Sequence, residues 1–309
     1  MELSILLNKM AVFVAMIVIG YVLARRGVVN NGFVKTLNKL VINVFLVGTI
    51  LSSMVSTGTD ISVGKLGEIV LLTTTASVLG IIVAVIAGRF VRLESNREAV
   101  FEVLMAFGNT MFIALPVSDA LSGSYAVLIV SLSCIPFNVF LYSYGMWRMK
   151  QGKGERRFHL KDILSPPLIA TLAGILFLVV DLPVPAMVRD TLSVIGASTM
   201  PLSLIVIGAS LGSVSLLDAF RSGKMAYLSV VRLLVIPVLT WLVCGLLTSD
   251  EVLRMTCLII GGAPCAVIVS ILGDSRGQDM VFSSQAVQHS TVCSVITLPV
   301  LIQIFSNLM

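Results

Sequence analysis

Apolar runs of about twenty residues recur along the whole chain, and no other feature restricts its fold so severely. Twenty residues of helix span roughly 30 Å, the thickness of a bilayer's hydrocarbon core. Inside that core every backbone N–H and C=O must be satisfied by the chain itself, so runs of this length imply transmembrane helices. Charge content agrees, because only 12% of the residues are Asp, Glu, Lys or Arg, about half the share of a soluble domain. The longest polar stretch, Met149–Lys161, is too short to fold as a soluble domain. An all-α membrane protein is the expectation.

Runs bounded by charges, Gly and Pro give ten spans, near residues 5–24, 36–56, 66–89, 98–119, 124–147, 163–180, 187–213, 224–247, 251–272 and 281–306. The first run resembles a signal peptide, but it is long for one, and Arg25-Arg26 stand where a cleavage site belongs. It reads as a span. Basic residues then set the orientation. Of 21 Lys and Arg, sixteen fall in the odd-numbered loops and four on the opposite side, with Arg232 inside a span. By the positive-inside rule the odd loops are cytoplasmic and both termini lie outside. The excess of base thus reports topology, and nucleic acid is not an expected partner.

The basic loop 149–161 divides the chain into residues 1–148 and 162–309, each with five spans. Two halves of odd span number must run in opposite directions, the inverted-repeat plan of many secondary carriers. A trace of the repeat survives. "REAVFEVLMAFGNTMFIALP" from Arg97 and "DEVLRMTCLIIGGAPCAVIV" from Asp250 both open near an acidic residue and both break about eleven residues on, roughly 16 Å into the span. One break is Gly108-Asn109, with Pro116 beyond; the other is Gly261-Gly262-Ala263-Pro264. A single break of this kind is most often an ordinary kink. A matched pair at mid-membrane, where unwound backbone must be buried or line a cavity, points to a substrate site.

Broken helices offer N-termini that favour anions and C-termini that favour cations, so their dipoles alone leave the substrate's sign open. Side chains near the break include Asn109 and Thr110 in span four, with Ser131, Ser133 and Asn138 in span five. None is a carboxylate, and Glu102 and Asp119 stand toward the span ends, which favours an anion. Asn138 and Tyr142 share a helix face, and that spacing fits a cavity wall and an interhelical hydrogen bond equally. Ser203 follows Pro201 in span seven, Asn43 lies in span two, and Gln285, Gln288 and His289 cluster in span ten. His289 reads as a hydrogen-bonded structural histidine, and Arg232 as a residue that snorkels to the cytoplasmic interface. The five cysteines are scattered in apolar segments without a CxxC pair and read as small buried hydrophobes. With no HExxH, GxSxG, P-loop or paired intramembrane Asp, the chain is not expected to be an enzyme. No metal or cofactor is expected.

Several motifs together resemble the auxin efflux carrier family: "LVINVFLVGTIL" from Leu40, "FGNTMFIALPV" from Phe107, "IPFNVFLY" from Ile135, "STMPLSLIVIGASL" from Ser198, "GGAPCAV" from Gly261 and "SSQAVQHSTVCSVITLPVLI" from Ser283. The likeness runs the length of the chain. It departs at Val47, where the family usually has proline, and the short central loop resembles bacterial malate- or malonate-permease-type members. The resemblance implies ten helices with crossed fourth and ninth spans, similar to bile-acid and sodium/proton carriers. It further implies a dimerising scaffold of spans 1, 2, 6 and 7 and a sliding transport domain of spans 3–5 and 8–10. Carried over by the motifs, the substrate site implies Asn109, Asn138 and Tyr142, with Pro116 and Pro264 at the crossing. The residues in and around the breaks add Thr110, Gly262 and Ser203 as substrate-binding candidates, and Gly108 and Gly261 as crossover positions. The expected function is elevator-type secondary transport of small organic anions, carboxylates or auxin-like acids, by a homodimer in the bacterial inner membrane. A sodium-coupled symporter of the bile-acid-carrier type and a membrane ligand sensor that moves nothing remain alternatives.

Overall fold

The computed structural model describes residues 3–57, 61–93, 95–149, 164–180, 184–212, 220–274 and 279–308. The basic loop 149–161, beyond Met149, and Arg276 lie outside the described residues. In chain order the helices are α1 (Leu3–Arg25), α2 (Asn31–Leu40), α3 (Leu46–Thr57), α4 (Val63–Gly88), α5 (Ser95–Ala106), α6 (Leu115–Phe140) and α7 (Met146–Arg148). They continue as α8 (Pro166–Val180), α9 (Ala186–Ala197), α10 (Thr199–Gly212), α11 (Gly223–Val230), α12 (Ile236–Leu247), α13 (Glu251–Gly262), α14 (Val267–Asp274) and α15 (Met280–Ser306). Single π turns at Val41–Phe45, Thr110–Ala114, Leu141–Gly145 and Val231–Val235 interrupt or open four of the longer helical runs.

Among the described residues six helices are long and apolar enough to cross a membrane: Gly32–Ser56, Val63–Gly88, Thr110–Arg148, Ala186–Gly212, Gly223–Leu247 and Val281–Ser306. Ala11–Arg25 and Pro166–Val180 are shorter apolar helices. The 39-residue run Thr110–Arg148 would reach about 58 Å if straight, nearly twice a hydrocarbon core. Gly123, at φ 66° and ψ −154°, breaks it between the fourth and fifth spans expected from sequence. Helix starts are set by local chemistry. Asn30, Asp250 and Asp279 each accept a hydrogen bond from the third N–H downstream, at 2.8, 2.9 and 3.0 Å, satisfying donors that a helix start leaves open.

The chain divides into two compact units. The first comprises Met1–Val70, Met111–Cys134 and Leu164–Ser215; the second comprises Leu71–Thr110, Ile135–Ile163 and Leu216–Met309. In the first unit α1 packs along α10 at backbone distance. A Cβ on Gly208 would collide with the Ile17 carbonyl, and one on Gly20 with the Ile205 carbonyl, so only glycine permits the approach. Small residues let membrane helices gain dispersion where the hydrophobic effect between them is weak. Thr49 joins α3 to α9 and α10, its Oγ1 2.7 Å from Thr199 Oγ1 and 3.1 Å from the Gly196 carbonyl.

The second unit is built around α5. Val100, Phe101, Val103, Leu104 and Met105 are fully enclosed by a core drawn from α4, α7, α11, α12, α15 and the segments that join them. Charged groups tie the element ends together. Arg148 at the end of α7 reaches Glu102 at 3.1 Å and Glu98 at 3.2 Å on α5, and the Tyr144 hydroxyl donates to Glu102. Arg97 at the start of α5 binds Asp279 at the start of α15 at 2.8 Å. The N-terminal amides of α15, chiefly Phe282 N–H, hold the Asp279 carboxyl below the ordinary carboxylate range, and Arg97 adds to the effect.

Candidate functional site

Two helix ends in the second unit stop in mid-span, and each supplies what the other lacks. α5 ends at Ala106 and α13 at Gly262. Ala263 precedes a proline, which disfavours helical backbone, and it is extended at φ −64° and ψ 138°. The freed segments then pair as a short antiparallel bridge between Gly108 and Cys265. Asn109 N–H donates to the Pro264 carbonyl at 2.6 Å, and Ala266 N–H donates to the Phe107 carbonyl at 3.0 Å. Cys265 N–H donates to Ser290 Oγ of α15 at 3.1 Å. Unwound backbone at membrane depth is costly unless it is satisfied in this way.

The ends of the first half-helices remain to be satisfied, since a helix leaves its last carbonyls without partners. Arg232 supplies the donors. It sits in the π turn Val231–Val235, is 3% exposed, and spreads its guanidinium between the two ends. Nε donates to the Ala263 carbonyl at 2.8 Å, Nη1 to Ala106 at 3.1 Å and Nη2 to Ile260 at 3.1 Å, with Met105 O 3.5 Å from Nη1. Gly108 makes room for it, because a Cβ there would overlap Nη2. Snorkelling, the sequence expectation for Arg232, therefore does not hold. Its charge turns inward because two sets of orphan carbonyls solvate it better than the apolar route to an interface. The signal was present in the sequence, since an ionisable residue inside a span is a functional candidate by default. The π turn that aims it, a feature common at functional sites, has no sequence mark of its own.

The sequence-nominated residues separate by unit. Gly108, Asn109, Thr110, Asn138, Tyr142, Gly261, Gly262 and Pro264 belong to the second unit, whereas Pro116 and Ser203 belong to the first. Asn109, Thr110 and Asn138 are buried, and Tyr142 lies partly buried against the core of the second unit. Gly261 fits against Pro237 and Thr240 of α12, and Gly262 against Leu298 of α15, so both glycines serve close helix contact. Pro116 is the second residue of α6, directly after the π turn Thr110–Ala114 and inside the helical run Thr110–Arg148. Ser203 is fully buried in α10, and its hydroxyl, like that of Ser118, has no hydrogen-bond partner among the described residues. His289 is buried on α15 with Nδ1 2.7 Å from Ser229 Oγ and its ring 4.5 Å from that of Phe220. Asn43 turns outward and bonds the Lys39 carbonyl of its own helix at 2.6 Å.

Long apolar helices, interrupted spans that satisfy each other's backbone, and a buried arginine between them define an integral membrane protein of all-helical build. The chain belongs to the family described as Membrane transport protein, which it matches over residues 5–302. It is similar to an uncharacterized transporter of Methanothermobacter thermautotrophicus, with 24% identity over 288 residues, covering 92% of this chain and 93% of the relative. It is also similar to an uncharacterized transporter of Methanocaldococcus jannaschii, with 22% identity over 302 residues and coverages of 94% and 96%. The chain is thus a membrane transporter of this family.

Proposed function

We propose that the chain is a secondary carrier for small organic anions, carboxylates above all, bound beside the paired breaks of spans four and nine. The observation that carries the reading is Arg232. Each half-helix end contributes roughly half a negative charge, so one guanidinium about cancels the pair. The opposite ends, the starts of the segments that follow the breaks, keep their positive character, which suits a carboxylate. Asn109 and Asn138 are the side chains assigned to the substrate, with Thr110, Gly262, Pro264 and Tyr142 of the same unit beside them.

In this reading the chain holds ten spans in two inverted five-helix repeats, with spans four and nine crossing. The scaffold is spans 1, 2, 6 and 7, the transport part is spans 3–5 and 8–10, and the carrier works as a homodimer by an elevator motion in the bacterial inner membrane. Support for the grouping comes from the two compact units, of which the second holds spans three, eight, nine and ten together with the first half of span four. Span five does not group whole: Met111–Cys134 falls in the first unit and Ile135 onward in the second. That the third, fifth and ninth loops share one face is supported by Arg97, Arg148 and Asp279 at their edges, whose ion pairs meet at the starts of α5 and α15.

Purified protein in liposomes, given labelled malate, malonate and an auxin-like acid with and without sodium and a pH gradient, tests the function. Uptake of at least one acid above protein-free liposomes is expected; none under any gradient refutes the carrier reading. A cysteine placed within 149–161 tests the topology, and labelling of it by an impermeant reagent on intact cells reverses the orientation.

A further inference from the structure

Carbonyl groups from two broken helices converging in a low-dielectric interior make a strong place for a cation. In the second unit that place is already filled from within the chain. Ile260, Ala263 and Ala106 each direct a carbonyl oxygen to a different nitrogen of the Arg232 guanidinium, at 3.1, 2.8 and 3.1 Å. The fit involves more than one element. A planar fork of five donors on three nitrogens bonds carbonyls of two helices in one fixed geometry, whereas an ammonium offers three donors from a single point. The π turn Val231–Val235 directs the side chain inward, and the bare backbone of Gly108 admits Nη2. Among the described residues no group of three His, Cys, Asp or Glu is placed to hold a metal ion, so acidic ligands do not compete for the role.

We infer that the Arg232 guanidinium is a resident cation at the meeting of α5 and α13, standing where a bound alkali ion would otherwise be needed, and that this protein binds none there. The carbonyls that would coordinate sodium are committed as hydrogen-bond acceptors, and the fixed charge would repel a second cation. Arg232 is on this account a positioning residue. It holds the two half-helix ends together and sets the local charge without touching substrate. The inference rests on the carrier reading only where transport is concerned, since the cation site is defined without substrate.

The test uses the full-length chain in detergent with no substrate added, melted in sodium, potassium or choline chloride at equal ionic strength. Wild-type protein is expected to melt at the same temperature in all three. A rise specific to sodium or potassium overturns the inference. Arg232→Ala is expected to melt several degrees lower in choline, on the order of 5 °C, and to regain part of the loss in sodium or in millimolar guanidinium that leaves wild type unchanged. Equal loss in every salt without rescue, or no loss at all, also overturns it. Arg232→Lys keeps the charge and is expected to stay indifferent to the cation, so it decides the matter if the alanine variant cannot be purified; sodium-specific stabilisation of the lysine variant counts against the inference. In liposomes, carboxylate flux that requires sodium sinks the resident-cation assignment while upholding the carrier. Absence of flux in every salt sinks the carrier reading and leaves the melting result to stand.

Discussion

The two compact units both pack apolar helices, but they differ in what they bury beside them. The first relies on closeness: glycines at α1 and α10 bring backbones into contact, and Thr49 and Thr199 share a buried hydroxyl contact. The second adds to its apolar core a set of buried charge and amide groups: Arg232 on four carbonyls, Glu102 between Arg148 and Tyr144, and Asn109 and Asn138 out of solvent. Close contact between small residues fixes a surface by packing alone, although the first unit also buries the hydroxyls of Ser118 and Ser203 without partners among the described residues. Buried polar groups are costly when left unmet and rigid when met, which is what a binding site needs. In the proposed reading, recognition falls chiefly to the second unit and packing chiefly to the first.

The largest expected effect strikes the first unit. Gly208→Ala places a methyl on the Ile17 carbonyl, and forced separation of α1 from α10 is expected to cost about 3 kcal/mol or more. Loss of monodisperse protein in detergent reads it out. Gly67→Ala, where nothing lies within 4 Å of the added atom, is the matched control and should be neutral or stabilising. If both variants behave alike, closeness is not what holds the first unit. Next comes Glu102→Ala, which leaves Arg148 with Glu98 alone and takes the acceptor from the Tyr144 hydroxyl. Breaking such a partly buried pair is expected to cost about 3 kcal/mol, seen as a lower melting temperature. A change within 0.5 kcal/mol would remove charge from the account of the second unit.

Smaller effects sharpen the contrast. Asn109→Ala keeps the backbone bond to Pro264, so folding should survive while carboxylate affinity falls about tenfold, or roughly 1.4 kcal/mol. Asn138→Ala should act in the same direction. Isothermal titration with a transported acid measures both, and unchanged affinity in the two variants moves the site away from the second unit's break. The smallest effect is at Asp279. Its carboxyl titrates below the ordinary value of 3.8, so its contribution is complete above that pH and fades as pH falls through the lowered folded value. Asp279→Ala, which removes the cap of α15, is expected to cost about 1 kcal/mol near neutrality and nothing in strong acid. A difference that persists at the acid end would show that the carboxylate is not its source.

Composition and the length of the apolar runs are properties that act along the chain, and these were legible residue by residue. So were the breaks. Gly108 and Pro264 weaken helix wherever they stand, and α5 and α13 do end beside them. Asn109 could be nominated because a polar residue beside a mid-span break is costly unless used. Arg232 could not be placed, because its sequence neighbours are all apolar and its partners lie about 30 and 126 positions away. Whether a buried charge snorkels or turns inward depends on which carbonyls folding brings within reach. The same limit applied to Ser203, whose position beside Pro201 says nothing of the unit it joins. Sequence by itself determined that the chain is helical and membrane-bound, and where its helices fail, because hydrophobicity and backbone propensity are local. Only the tertiary structure decided what the failed ends bind to, because a hydrogen bond is set by distance in space.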